Sequence, residues 1–166
     1  MERIMIIGCG GAGKSTLARQ LGEKTGIPVV HMDRLFWQPG WVATPDEEFE
    51  SIMEQQIFAD RWIIDGDFIA TMPQRLQRCD TVIYLDMSRT VCLWGAISRL
   101  VKNHGKVHSD MGIGCPESFD PDFLKWVWQY NKNNRAENYR LLNEAKGIKI
   151  IILRNRREVN SFLANI

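Results

Sequence analysis

The stretch Gly8-Cys9-Gly10-Gly11-Ala12-Gly13-Lys14-Ser15 decides the architecture of this chain of 166 residues. The apolar run Ile4–Ile7 precedes it, and Lys14–Thr25 carries apolar residues at helical spacing after it. A strand, a glycine-rich turn of the form G-x-x-x-x-G-K-[ST] and a helix, in this order, are typical of a phosphate-binding loop. Glycines let the backbone wrap an anion closely, and the amino end of the following helix adds positive potential. The sequence therefore predicts a nucleotide-phosphate site.

Two side chains of this loop carry distinct chemistry. Lys14 can reach the β- and γ-phosphates, and the hydroxyl of Ser15 can bind Mg²⁺. The loop indicates a nucleotide without indicating a reaction. The guanine motif N-K-x-D of switch GTPases is absent, because the nearest match, at residues 131–134, lacks the aspartate, and no D-x-x-G occurs. A regulatory GTPase is therefore disfavoured.

Four more short apolar runs alternate with helical segments along the chain. Each run is rich in Ile or Val and nearly continuous in its hydrophobicity, which is typical of strands buried on both faces of a parallel sheet. The runs are Pro28–His31, Trp62–Asp65, Thr81–Asp86 and Ile148–Leu153. The alternation predicts one α/β domain over residues 1–166 with a mostly parallel sheet.

Helix start signals stand between these runs. They occur as a capping box at Thr44-Pro45-Asp46-Glu47, at Ser88 or Thr90, at Asp120-Pro121, and at Asn155 with Glu158. The pattern that begins at Asp120 predicts one long helix to about Ala145, and Gly147 is a plausible stop.

Two carboxylates follow predicted strands and are candidate site residues. Ligands bind at the carboxyl ends of parallel strands, so Asp65 and Asp33 are both expected on the ligand-facing rim. Asp65 is placed to hold Mg²⁺ or its water shell. Asp33 can bind an acceptor hydroxyl, act as general base or touch the metal. The structural alternative for each is a helix-capping or turn carboxylate.

A glycine-rich stretch of little apolar periodicity, at about residues 102–120, predicts a lid or a plain surface excursion. Arg99 precedes it and Arg135 follows it, so both can clamp transferring phosphate, whereas Arg75 can reach an acceptor. For each arginine a solvated salt bridge is the alternative. Four basic or imidazole side chains within the stretch can approach phosphates or form a solvated face, namely Lys102, His104, Lys106 and His108.

The six tryptophans fall into two groups. Four lie on strand or helix faces and are predicted to be core residues, namely Trp62, Trp94, Trp126 and Trp128. Trp37 and Trp41 bracket the turn signal Gln38-Pro39-Gly40. They either form an aromatic wall for the acceptor or fasten the next helix to the body of the domain.

Composition narrows the class of protein further. Lys and Arg total 21 against 20 Asp and Glu, a net charge of +1, which is unlike a strongly basic nucleic-acid binder. The four cysteines have no C-x-x-C spacing, and free thiols favour the reducing cytoplasm. We expect no signal peptide and no membrane span, because no apolar window approaches about 20 residues.

Several runs together resemble the topology modulation proteins (FlaR-like), a family of adenylate-kinase-like P-loop proteins. They are the phosphate loop, His31-x-Asp33-x-Leu35-x-Trp37-x-Pro39-Gly40-Trp41, Trp62–Gly66, Cys79–Asp86, Gly114-Cys115-Pro116-Glu117 and Phe123-Leu124-Lys125-Trp126. The resemblance implies a three-layer α/β/α fold like that of nucleoside monophosphate kinases. It also implies a five-stranded parallel sheet of order 2-3-1-4-5, an acceptor-binding region at about residues 34–60, and a short lid.

By this resemblance, ATP with Mg²⁺ is the expected cofactor. Its phosphate site would comprise Gly8, Gly10, Gly11, Ala12, Gly13, Lys14, Ser15 and Thr16, with Asp65 in the Mg²⁺ region and Arg99 and Arg135 in the lid system. The arginine of the Asp-Gly-Phe-Pro-Arg segment of adenylate kinase is absent after Asp65-Gly66. The acceptor is therefore left open between a nucleoside monophosphate and another small molecule.

Two functions remain at this point. The first is ATP-dependent phosphoryl transfer to a small acceptor, using Lys14, Asp33, Arg99 and Arg135 as catalytic groups and Asp33, Trp37, Trp41 and Arg75 as acceptor-binding groups. The second is an ATP-binding regulatory module for DNA or a protein partner, favoured by the basic cluster Arg154, Arg156 and Arg157 and by the basic side chains around Lys102–His108. The sequence leaves the oligomeric state open.

Overall fold

Five parallel strands form the centre of the computed structural model, which describes residues 1–107 and 110–166. The strands of this sheet are β1 (Arg3–Gly8), β2 (Val29–His31), β5 (Trp62–Asp65), β6 (Thr81–Leu85) and β7 (Lys149–Leu153). A two-stranded antiparallel hairpin stands apart from it and consists of β3 (Trp37–Gln38) and β4 (Val42–Ala43). His108, assigned to the lid by its sequence position, lies outside the described residues.

Eight α-helices accompany the strands in the described part of the chain. They are α1 (Lys14–Thr25), α2 (Met32–Phe36), α3 (Asp46–Ile57), α4 (Met72–Arg78), α5 (Arg89–Asn103), α6 (Pro121–Asn133), α7 (Arg135–Glu144) and α8 (Arg156–Ala164). A 3-10 turn, Ile69–Thr71, leads into α4. No helix in these ranges is long and apolar enough to cross a membrane.

The order of strands across the large sheet is β2-β5-β1-β6-β7. When the two hairpin strands are left out of the count, this is the order 2-3-1-4-5, and every neighbouring pair is parallel. The predicted fold class and strand order are confirmed. The physical basis is the continuous hydrophobicity of the strands, since a strand covered by helices on both faces needs apolar residues at successive positions.

Alternate residues of β1 point into two separate cores. Ile4 and Ile6 pack with α1, α5, α6 and α8, whereas Met5 and Ile7 pack with α3, α4 and α7. Period-two alternation of side chains along a strand sends neighbours to opposite faces. The result is a three-layer α/β/α arrangement that brings the carboxyl ends of the strands to one edge.

The long helix predicted from Asp120 to about Ala145 is interrupted at Asn134. The two halves pack on opposite faces of the sheet, because Val127 of α6 belongs to one core and Leu141 of α7 to the other. A straight helix cannot reach both faces, so the chain bends where α6 ends. This prediction was wrong in its continuity.

The helix caps agree with the sequence at three sites and differ at one. Asp120 caps α6 by accepting the N–H groups of Asp122 and Phe123 at 2.9 and 3.1 Å. Asn155 accepts the N–H of Glu158 at 2.9 Å, and Ser88, rather than Thr90, caps α5 by accepting the N–H of Val91. The capping box at Thr44 is not formed. The Thr44 hydroxyl instead donates to the Phe36 carbonyl at 2.8 Å, which holds the chain before α3 against α2.

Of the four tryptophans predicted to be core residues, one is buried and three are exposed. Trp62 is buried at 1% exposure, but Trp94 is 72% exposed, and Trp126 and Trp128 are also exposed. Helices α5 and α6 pack through smaller residues such as Ala96 and Val127, so Trp94 and Trp128 face outward. Trp126 stacks on Phe123 and lies edge to face with Tyr130.

Candidate functional site

The loop between β1 and α1 wraps tightly and leaves the amino end of α1 open. Gly11 and Gly13 have φ of 76° and 94°, left-handed values that favour glycine. Gly13 precedes α1 and supplies no side-chain cap, so the first N–H groups of the helix remain for a ligand. Lys14 folds back over the loop, with Nζ donating to the Cys9 carbonyl at 3.0 Å. These features are those of an anion-binding helix terminus.

A cavity of about 1060 Å³ opens beside this loop. Its wall combines the phosphate loop with Asp33 of α2, Phe68 after β5, Arg99 of α5, and residues of the segment 102–120. The carboxyl ends of the strands and the glycine-rich segment therefore face one common space. The volume exceeds that of most small-molecule pockets, which hold a single drug-sized ligand in about 300–1,000 Å³.

Asp33 lies half-buried in the cavity wall. Burial raises the pKa of this carboxyl, and the negative charges of Asp65 and Asp110 act in the same direction. Lys14 and Arg99 oppose the shift, which shows that both cations lie within electrostatic reach. A carboxylate with a raised pKa is a stronger base than an exposed one once it is ionised.

Asp65 occupies a different position from the one expected of a metal ligand. Its side chain is buried, and Oδ1 lies 2.6 Å from Nδ1 of His31 at the end of the adjacent strand. Burial opposes protonation of His31, but the contact with Asp65 outweighs it and raises the His31 pKa. Within the described residues, the cavity wall includes Asp33 and Asp67 but not Asp65. Asp65 therefore forms an ion pair with His31 and does not line the cavity.

Asp67 is a candidate site residue that the sequence reasoning missed. Its Oδ1 accepts the backbone N–H of Gly8 at 3.1 Å and an amide N–H of Asn138 at 3.2 Å. Its Oδ2 is buried and has no hydrogen-bond partner within residues 1–107 and 110–166. Burial raises the pKa of this carboxyl, and Lys14 opposes that shift. The signal available was a second aspartate two positions after the end of β5.

Arg99 lines the cavity and contacts the glycine-rich segment. Its Nε donates to Oε1 of Glu117 at 3.1 Å, and its guanidinium lies 5.6 Å from the ring centroid of Phe123. A second contact, not predicted, joins Arg19 of α1 to Asp110 at 3.0 Å. Two ion pairs thus connect the helices on either side of the cavity to the segment above it.

Arg135, predicted to serve the lid, lies elsewhere. Its guanidinium makes a two-pronged contact with Asp86, through Nε and Nη2 at 2.8 Å each, and Tyr139 donates to the same carboxylate at 2.8 Å. Arg135 is not part of the cavity wall in the described residues, although its neighbour Asn134 is. The physical reason is that Asp86, at the end of β6, is buried and needs a cation. Arg135 therefore anchors α7.

Arg75, predicted to contact the acceptor, is fully buried at 0% exposure. Its guanidinium donates to the carbonyls of Gly66, Asp67 and Phe68 at 2.7–2.9 Å. Burial lowers its pKa to about 10. The side chain holds the loop after β5 in shape, because that loop turns through left-handed φ at Gly66 and leaves its carbonyls pointing inward. Arg75 therefore stabilises this loop and is not free to make the acceptor contact that the sequence had suggested.

Trp37 and Trp41 both line the cavity. Their rings meet edge to face with centroids 5.5 Å apart. The indole N–H of Trp41 donates to the Pro116 carbonyl at 3.2 Å, which joins the hairpin to the glycine-rich segment. The two indoles thus form an aromatic part of the cavity wall, and Trp41 joins the hairpin to the glycine-rich segment rather than fastening the next helix. Their contact with an acceptor stays a prediction.

No protein-family model and no curated protein matches the sequence. Solved structures do match over nearly the whole chain. Shikimate kinase from Acinetobacter baumannii, in complex with shikimate, has a TM-score of 0.60 and 16% identity, covering 99% of this chain and 90% of that one. Deoxyadenosine kinase from M. mycoides, with bound dCTP, has a TM-score of 0.52 and 14% identity, covering 98% and 96%. The chain shares the α/β fold of these P-loop kinases.

Proposed function

We propose that this protein transfers the γ-phosphoryl group of ATP to a small-molecule acceptor. The observation that carries the proposal is one cavity bounded by the phosphate loop on one side and by Asp33 and Arg99 on the other. Phosphoryl transfer needs a phosphate cradle, a group that orients the nucleophile and cations for the developing charge. The cavity wall supplies all three.

The residues of the loop fit a nucleotide phosphate. A Cβ at Gly11 would lie 2.1 Å from the Cys92 carbonyl, and one at Gly13 would lie 2.4 Å from Arg156 Nη1, so side chains there would collide with the surrounding elements. Gly8, Gly10 and Ala12 complete the backbone of the cradle, and Thr16 follows it on α1. Lys14 would exchange its contact with the Cys9 carbonyl for the phosphates.

The residues also fit Mg²⁺, which prefers oxygen ligands and keeps several waters. The cavity wall includes Ser15, with its hydroxyl, and Asp67, whose carboxylate has one buried oxygen, Oδ2, without a hydrogen-bond partner in the described part of the chain. Asp65, the metal residue expected from its place at a strand end and from the family resemblance, would act through His31 in this arrangement. When bound, Mg²⁺ neutralises charge on the β- and γ-phosphates.

The side chains of the cavity wall then have separate roles in phosphoryl transfer. Lys14 and Arg99 stabilise negative charge on the transferring group, and closure of the segment 102–120 excludes water. Trp37 and Trp41 pack against the acceptor. We assign ATP rather than GTP, and membership of the topology modulation family, on the sequence resemblance described above.

The regulatory alternative receives less support from the geometry. Arg156, one of three arginines that motivated it, donates to the Ala12 carbonyl at 2.7 Å and lines the cavity. It therefore belongs to the nucleotide site rather than to a free basic surface. Four buried free thiols fit a reducing compartment such as the cytoplasm.

The test is release of nucleoside diphosphate from Mg-ATP and, separately, from Mg-GTP, with a panel of small acceptors. We expect one acceptor to raise turnover well above bare hydrolysis, and Lys14→Ala to lower that turnover by about 100-fold or more. Lys24→Ala is the matched control, because Lys24 is an exposed lysine at the other end of the same helix. Full turnover in a folded Lys14→Ala protein would contradict the mechanism.

A further inference from the structure

We infer that the acceptor group is the hydroxyl of a small organic molecule, and not the phosphate of a nucleoside monophosphate. The inference rests on the proposed function and names the chemistry of the atom that attacks. It is carried by the charges on the acceptor side of the cavity.

The first observation is the acid in the acceptor position. Asp33 lies in the cavity wall within electrostatic reach of Lys14, the residue assigned to the transferring phosphate. An acceptor phosphate placed there would meet a like charge, whereas a hydroxyl would find a proton acceptor. Asp65 and Asp110 lie close enough to influence the same carboxyl, so the acidic character extends beyond one residue.

The second observation is that the arginines which could bind an acceptor phosphate already contact other groups of the protein. Arg75 is fully buried against three backbone carbonyls. Arg78, on the same helix, lies over the ring of Phe58 at 4.8 Å. Both arginines after β5 are therefore held by the fold.

Two further arginines of the cavity wall are also partnered. Arg19 contacts Asp110 at 3.0 Å, and Arg99 contacts Glu117 at 3.1 Å. The charges of these two arginines are thus balanced by carboxylates of the segment above the cavity. A dianionic acceptor that bound to either arginine would have to displace one of these carboxylates, whereas a neutral hydroxyl would displace none.

The third observation is the apolar surface beside Asp33. Trp37, Trp41, Phe68 and Ile69 all line the cavity. Aromatic side chains offer a large apolar area with few conformational degrees of freedom, which suits the carbon skeleton of a small alcohol. Such a wall also keeps water, a competing hydroxyl, away from the reacting group.

The reaction balances with these groups alone. The acceptor oxygen forms a bond to the γ-phosphorus, and the bond from that phosphorus to the β–γ bridging oxygen breaks. ADP leaves with the electron pair of the broken bond. The hydroxyl proton passes to the Asp33 carboxylate and then to solvent, and the product is a phosphate monoester.

The experiment compares two acceptor classes with Mg-ATP as donor. One set contains sugars, polyols, hydroxy acids and nucleosides, and the other contains the common nucleoside monophosphates. We expect an alcohol of the first set to be converted to a phosphate monoester, identified by ³¹P NMR. Formation of nucleoside diphosphates from the second set would overturn the inference while leaving the proposed phosphoryl transfer intact.

The Asp33→Asn variant supplies a test that needs no identified acceptor. Slow hydrolysis of ATP uses water in place of the alcohol, so the variant should lower it by about 10-fold or more, and lower transfer to the alcohol by about 100-fold. Binding of ATP, measured by calorimetry, should stay within about twofold. Asp60→Asn, at an exposed position before the amino end of β5, is the matched control.

The possible results distinguish failure of the inferred hydroxyl acceptor from failure of the proposed phosphoryl transfer. Unchanged hydrolysis and unchanged transfer in folded Asp33→Asn protein would overturn the assignment of the hydroxyl. Binding of ATP with no transfer to either set, and with hydrolysis insensitive to Lys14→Ala, would overturn the proposed function itself.

Discussion

Gly95 of α5 lies so close to Gly11 of the phosphate loop that a Cβ at residue 95 would be 2.2 Å from the Gly11 carbonyl oxygen. The reverse also holds, since a Cβ at Gly11 would meet the Cys92 carbonyl. Helix α5 and the loop therefore touch backbone to backbone, 84 positions apart in the chain. Because Arg99 is one turn further along α5, this contact sets its distance from the phosphate loop.

Gly95→Ala should separate α5 from the loop. Overpacking at a backbone contact costs about 1–3 kcal/mol, so we expect a lower free energy of unfolding in urea and weaker ATP binding by calorimetry. Val101→Ala, at a 75% exposed position of the same helix, is the control and should change neither. Wild-type ATP affinity in Gly95→Ala would show that the contact does not position the loop.

Arg135→Gln should destabilise the fold by about 1–3 kcal/mol, because the buried Asp86 carboxylate loses its two-pronged partner. Arg140→Gln, on the same helix, is the control. Arg140 pairs with Glu137 and Glu144 on the surface, so its loss should leave the urea midpoint unchanged. Equal midpoints for both variants would argue against an anchoring role for Arg135.

The same ion pair predicts a pH dependence of stability. Burial opposes ionisation of Asp86, but hydrogen bonds from Arg135 and Tyr139 outweigh it and lower the pKa of this carboxyl. Its contribution is therefore fully present above the unfolded pKa of about 3.9 and is lost as the pH falls through the lower folded value. Urea unfolding of wild type and Arg135→Gln at pH 7 and at pH 3 should show the difference between them shrinking at the acidic pH.

Arg75→Met should lower the free energy of unfolding by about 2–4 kcal/mol, since three inward-pointing carbonyls lose their donor. Arg78→Met, at a partly exposed position of α4, should cost within about 0.5 kcal/mol. A raised KM for the acceptor with full stability in Arg75→Met would restore the acceptor contact that the sequence had suggested.

Turnover should depend on the ionisation of Asp33. Burial raises its pKa, so kcat/KM should fall on acidification at a pH above the ordinary aspartate value of about 3.9. The charged groups that face Asp33 are Lys14, Asp65, Arg99 and Asp110. Arg99→Gln removes a positive charge that favours the ionised form, so its acidic limb should move to higher pH.

Arg140→Gln is the control for this profile, because Arg140 is exposed on α7 and does not line the cavity. Its acidic limb should coincide with that of the wild type. A limb that stays in place in Arg99→Gln would mean that another group controls the acidic side of the profile.

The sheet was predictable because each strand is a short, nearly continuous apolar run, which is the pattern of a strand buried on both faces. Trp62–Asp65 has the bounds that its apolar run predicts. Three of the other strands differ by one residue at one end, and β1 is longer than its run by one residue at each end. The break at Asn134 was not predictable in this way. Both halves of the segment carry a helical pattern, and only the packing of Val127 and Leu141 on opposite faces requires a bend.

Whether a candidate site residue could be placed correctly from the sequence depends on how far along the chain its partner lies. The phosphate loop, with Asp33 at the end of the next strand unit, follows from local pattern and from the rule that strand ends face the ligand. Arginines are harder to place, because a long side chain can turn toward either solvent or a distant partner. Asp86 is 49 positions from Arg135, and no local signal links them.

The sequence by itself determined the alternation of strands and helices, the phosphate-binding loop and the edge of the sheet where ligands bind. These depend on hydrophobic periodicity and on the backbone freedom of glycine, which are local properties. Only the tertiary structure decided that Asp65 supports His31, that Arg75 and Arg135 serve the scaffold, and that Asp67 lines the cavity in place of Asp65. A buried charge takes whichever partner the packed elements bring to it, and that partner is set by three-dimensional proximity rather than by sequence spacing.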